Sequence, residues 1–333
     1  MRIHPRPVAL AVLGAVLTLL GPTVPARAAA PSYVALGDSY SSGVGTRSYL
    51  SDGTSCQRSA YAYPSLVAAA RGYALNFRAC SGATVADVTA SQLGALSATT
   101  RYVTVSVGGN DAGFADVLTE CALPGWMSSC NAAIDGAQAY ISNKLPAALS
   151  TLYAAIRSRA ASARVVVVGY PRIFMGEDCN AATWFSPAEE TRLNATADLL
   201  NSKLASAAAA RGFGFANPTS RFSGHAVCDS TEWINGLSNP ITESYHPNRA
   251  GHSSGYTPLV GPLLTGASLT VTPGVVRAAV GSAERLAEQQ RAYADQDATI
   301  RPERFVVPDL TTPEARRAAR HAGVDLDRWL ARH

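Results

Sequence analysis

Four consecutive valines, Val165-Val166-Val167-Val168, constrain the architecture more than any other stretch. A strand that is apolar at every residue offers no face to water, so it belongs inside a sheet covered on both sides. Shorter strand-like runs recur at 33–36, 73–77, 102–107 and 213–216. Between them lie helical patterns: 60–71, stopped by Gly72; about 84–96; 132–160, with a break at Pro146; and one that opens on Ser186-Pro187-Ala188-Glu189 and runs to about residue 210. That last start has a serine cap, a first-turn proline and a glutamate three residues on. Strands alternating with helices predict an α/β fold with a parallel sheet wrapped on both faces.

Open α/β sheets place their sites at the carboxyl ends of the strands. The first run ends in Gly37-Asp38-Ser39-Tyr40-Ser41-Ser42-Gly43. A serine is a weak nucleophile until a base takes its proton and donors hold the resulting oxyanion. Candidate partners follow: Gly82 in Cys80-Ser81-Gly82-Ala83, Asn110 in Gly108-Gly109-Asn110-Asp111, and His246 in Ser244-Tyr245-His246-Pro247-Asn248. Glycine lets backbone approach a substrate closely, and an amide donates without charge. Plainer readings exist: a turn serine, a turn glycine, a helix-capping asparagine, and His225 or His252 in place of His246. A second serine motif, Gly251-His252-Ser253-Ser254-Gly255, has no strand before it and only tail histidines after it, against what such an elbow requires.

The four blocks in this order resemble the SGNH hydrolases, also called GDSL esterases and lipases. The likeness covers about residues 31–265 and is greatest to their secreted actinobacterial lipase and phospholipase branch. The resemblance implies a flavodoxin-like three-layer α/β/α sandwich with five parallel strands. It implies hydrolysis of carboxylic esters, with a leaning to acyl lipids, through an acyl-enzyme on Ser39. His246 would be general acid and base, with an oxyanion hole made by Ser39, Gly82 and Asn110. Many members carry an aspartate three residues before the histidine; here that position is Glu243, one methylene longer. Others use a backbone carbonyl two residues before it, here that of Ser244, and this arrangement is favoured. Asp38 and Asp111 are read as braces for their loops. Phospholipase A-type activity is the second reading, and an idle secreted carbohydrate- or lipid-binding module is the alternative from another class. No metal or cofactor is called for. The expected partner is a small-molecule or lipid ester, with transient contact to a lipid surface and a monomeric state.

Residues 1–28 read as a cleaved secretory signal: Arg2 and Arg6, an apolar core from 8 to 20, then Ala26-Arg27-Ala28. Export suits the six cysteines, which allow 15 pairings. No close Cys/His cluster favours a metal. The resemblance implies sequential pairing, Cys56–Cys80, Cys121–Cys130 and Cys179–Cys228. A net charge of +4 is too mild to argue for nucleic acid. The catalytic domain is placed at 29–267 and a charged helical extension at 268–333. Its mixed charges read as a solvated appendage, a partner-binding segment being the other option, so a chain ending near Thr272 is expected to stay active. Trp126, Trp184 and Trp233 fit either an acyl pocket or loop packing.

Overall fold

Five strands form one sheet: Ser32–Gly37 (β1), Ala74–Phe77 (β2), Tyr102–Ser106 (β3), Arg164–Val168 (β4) and Gly214–Ala216 (β5). All pairings are parallel, in the order β2-β1-β3-β4-β5. The valine run is β4, flanked by β3 and β5 and buried from Val165 to Val168. This computed structural model describes residues 1, 2, 4, 29–302 and 304–332; the expected signal segment lies outside them but for 1, 2 and 4.

Helices cover both faces. Cys130–Asn143, Leu145–Arg159 and Pro187–Ala209 pack as one group, and Tyr63–Arg71 with Thr257–Thr265 as another. The expected 132–160 helix is two helices that meet at Lys144, with Pro146 in the first turn of the second, where its missing N–H costs nothing. The expected 84–96 helix is only one α turn, Val85–Asp87, followed by a π turn and a 3-10 turn. The widened backbone carries Gln92 inward, where its amide bonds both the N–H and the carbonyl of Gly37 at 2.7 and 2.9 Å. Phe114–Cys121 is a helix that the sequence reading left unassigned.

The three disulfides join Cys56 to Cys80, Cys121 to Cys130 and Cys179 to Cys228. The first ties the 50s loop to the segment leaving β2. The second joins the ends of two consecutive helices.

The extension is no solvated appendage. Helix Pro273–Gly281 packs on Tyr63–Arg71, and helix Ala283–Arg291 lies along β2, the edge strand. Leu286, Ala287, Gln290, Ile300 and Phe305 are buried. Asp297 reaches Arg58 at 2.6 Å and Arg78 at 2.9 Å, with all three side chains at 0% exposure. Trp126 and Trp184 pack edge-on and tilted against Trp329 of the extension, in line with the loop-packing reading. The expectation of a solvated tail is thereby corrected: Asp297 pairs inward with core arginines, which the local sequence does not reveal.

Candidate active site

The strand order reverses between β1 and β3, and the chain leaves both strands into a shared crevice. At the end of β1, Gly37 has φ 125°, and a Cβ there would lie 2.3 Å from the Ser106 carbonyl oxygen, so only glycine fits beside β3. Asp38 then caps a short helical turn, Ser39–Ser42, accepting the Tyr40 N–H at 3.0 Å. Its other carboxylate oxygen accepts from the Tyr170 hydroxyl. Burial pushes the Asp38 carboxyl up to about 7, against these hydrogen bonds.

Ser39 is buried at the base of a cavity of about 260 Å³ that Gly82, Asn110 and His246 also line. Its Oγ lies 2.8 Å from His246 Nε2, across 207 residues of chain. His246 Nδ1 lies 2.8 Å from the Ser244 carbonyl oxygen. A carbonyl can only accept, so Nδ1 carries the proton, and neutral imidazole then leaves Nε2 to accept from Ser39. The turn depends on Tyr245, whose φ of 59° folds the chain so that Ser244 faces the ring two residues on. Tyr245 is held there by its own carbonyl, which accepts from the Tyr40 hydroxyl at 2.8 Å. The Tyr40 ring also packs against His246, 5.3 Å between centroids. Burial lowers the His246 pKa to about 4.

Glu243 is buried and turns away from His246: its carboxylate accepts from the Tyr49 hydroxyl. Of the two candidate orienting groups, only the Ser244 carbonyl is within hydrogen-bond distance of the imidazole.

Among the described residues, the backbone N–H groups of Ser39 and Gly82 have no hydrogen-bond partner. The Asn110 amide donates one hydrogen to the Ala83 carbonyl at 3.0 Å, which leaves the other free. Asp111 accepts the Val85 N–H at 3.0 Å, linking the Asn110 loop to the segment that carries Gly82. Three donors on one cavity, beside a serine whose hydroxyl already faces a neutral histidine, can stabilise a tetrahedral oxyanion.

The rival histidines, His252 and His225, lie elsewhere. His252 is buried in the turn Gly251–Tyr256, where its Nδ1 accepts the Tyr63 N–H at 3.3 Å. His225 stacks on Trp233 at 3.7 Å and bonds the Thr231 carbonyl. The second serine motif is therefore a helical turn with no strand before it, and Trp233 packs against loop residues.

The sequence reading missed Gln92, Tyr170 and the Ala83 carbonyl, which hold Gly37, Asp38 and Asn110, because each acts from a distant segment. It also missed the extension's part in the cavity. A Cβ on Gly82 would lie 2.4 Å from the Arg301 carbonyl oxygen. Pro302, Arg304 and Phe305 line the cavity, and the Phe305 ring lies 5.0 Å from that of Tyr245.

Residues 35–253 match the GDSL-like lipase/acylhydrolase family. Lipase 1 of Streptomyces coelicolor is 47% identical over 236 residues, which are 70% of this chain and 87% of that protein. The crystal structure of the extracellular lipase of Streptomyces rimosus is 46% identical, with a TM-score of 0.67, over 70% of this chain and all of that one. That of phospholipase A1 from Streptomyces albidoflavus is 44% identical, with a TM-score of 0.66, over 70% of this chain and 98% of that one.

Proposed function

The chain belongs to the GDSL-like lipase/acylhydrolase family and is an ester hydrolase, and from that premise we propose that it works through an acyl-enzyme on Ser39. Ser39 Oγ attacks the ester carbonyl while His246 Nε2 takes its proton. The Ser244 carbonyl accepts the Nδ1–H and steadies the imidazolium that forms. The oxyanion rests on the N–H groups of Ser39 and Gly82 and on the Asn110 amide. The tetrahedral intermediate collapses, and the alcohol leaves with the proton from His246. Water, deprotonated in turn by His246, attacks the acyl-enzyme and releases the acid.

One observation carries this reading: Ser39 Oγ, His246 and the Ser244 carbonyl form a continuous chain with 2.8 Å at each link. The Streptomyces relatives support an acyl-lipid substrate, and the extracellular one supports secretion. The phospholipase A1 relative favours phosphoglyceride esters as a second reading. The intact hydrogen-bonded pair argues against an idle binding module.

Fluorophosphonate labelling, with mass spectrometry of the labelled peptide, tests the reading. Label on Ser39, and its loss together with p-nitrophenyl ester turnover in Ser39→Ala, are expected. Wild-type turnover in that variant would exclude the assignment.

A further inference from the structure

One wall of the Ser39 cavity comes from the extension, which lies beyond the residues that match the family. The wall is anchored at both ends. On one side Asp297 holds Arg58 and Arg78 below the surface. On the other, Phe305 packs on Tyr245 and the Val306 N–H donates to Thr119 Oγ1 at 3.0 Å. Between these anchors Arg304 lines the cavity while remaining open to solvent.

The Arg304 guanidinium makes no ion pair or hydrogen bond with any described residue. No carboxylate lines the cavity among the described residues. The same cavity presents the neutral donors Ser55, Gln57 and Ser81. Gln57 adopts φ 52°, a conformation that non-glycine residues rarely take, between disulfide-bonded Cys56 and fully buried Arg58. A guanidinium with no counter-charge among the described residues, on the cavity that Ser39 and these neutral donors also line, suits an anion, since its planar fork matches carboxylate and phosphate oxygens.

We propose that Arg304 is a specificity-determining residue: it pairs with an anionic group, carboxylate or phosphate, on the substrate, so that anionic esters are hydrolysed in preference to neutral esters of the same acyl chain. The inference rests on the Ser39 reading above and deepens it by naming the substrate class.

The test uses the full-length protein, R304Q and R304K with two matched substrate pairs. The first is mono-p-nitrophenyl adipate against its methyl ester. The second is dioctanoyl phosphatidic acid against dioctanoylglycerol in the same neutral detergent. The wild type is expected to favour the anionic member of at least one pair by about tenfold in kcat/KM, chiefly through KM, the scale of one charge-assisted hydrogen bond. R304Q should bring that ratio near one, and R304K should keep part of it. Preference confined to the adipate pair identifies a carboxylate; preference confined to the lipid pair identifies a phosphate. A wild-type ratio near one in both pairs, or a ratio that R304Q leaves intact, overturns the proposal. If the wild type turns over none of the four and Ser39 takes no fluorophosphonate, the hydrolase reading itself has failed.

Discussion

Glu243 accepts a hydrogen bond from the Tyr49 hydroxyl and leaves His246 to the carbonyl of the next residue. The acidic side chain nearest the histidine in sequence is thus committed elsewhere. Glu243→Gln keeps an acceptor for Tyr49 and removes only a charge. We expect kcat to fall by about tenfold or less, against the roughly ten-thousandfold loss when a triad aspartate is neutralised. A thousandfold loss in protein with a native circular dichroism spectrum would assign the orienting role to Glu243.

Asn110 offers one amide hydrogen to the cavity and is oriented by giving the other to Ala83. Asn110→Ala should lower kcat by roughly a hundredfold or more, as loss of one oxyanion donor does, with KM nearly unchanged. Steady-state kinetics on a p-nitrophenyl ester decide it: a rise in KM at constant kcat would place Asn110 in ground-state binding instead.

The pH profile follows from burial. Because His246 is lowered to about 4 rather than raised, its neutral, proton-accepting form persists as pH falls and disappears only near that value. The acid limb of kcat/KM on a neutral ester should therefore lie near pH 4, well below that of an ordinary histidine. Asp38 titrates near 7 under the same site, so any inflection there should vanish in Asp38→Asn. An acid limb at 6.5 that survives Asp38→Asn would contradict the buried neutral imidazole.

The extension should prove integral to the domain. Asp297→Ala strips the counter-charge from fully buried Arg78 and one of two from Arg58, which keeps Asp52 at 2.8 Å. A cost of about 3 kcal/mol is expected, which lowers Tm by roughly 5–10 °C. Differential scanning fluorimetry measures it. A chain ending at Thr272 loses the same partner and the wall at Gly82, so it should not yield soluble active protein. Full activity and an unchanged Tm would return the extension to the status of an appendage.

Every cysteine is paired. Alkylation of unreduced protein should label no thiol, and reduction should lower Tm, each bridge contributing about 2–4 kcal/mol. Labelled cysteines in exported material would refute the pairing.

The sequence by itself determined the sheet and the blocks at its edge, because both are written locally. A run such as Val165–Val168 has no polar face to turn outward, and Gly-Asp-Ser after an apolar run sets its own turn. What it left open depended on partners far along the chain. Whether Glu243 or the Ser244 carbonyl faces His246 was settled by Tyr49, 194 residues away, and by the left-handed turn at Tyr245. Whether the charged tail floats or folds was settled by Arg58 and Arg78, which lie 239 and 219 residues before Asp297. In sequence those arginines look like surface residues. Only packing takes them out of water, and a buried guanidinium must find carboxylates wherever the chain supplies them: Arg58 has nearby Asp52 as well, whereas Arg78 pairs with Asp297. The same tertiary pairing draws Arg301 and Pro302 across Gly82 and brings Arg304 to the cavity that Ser39 lines.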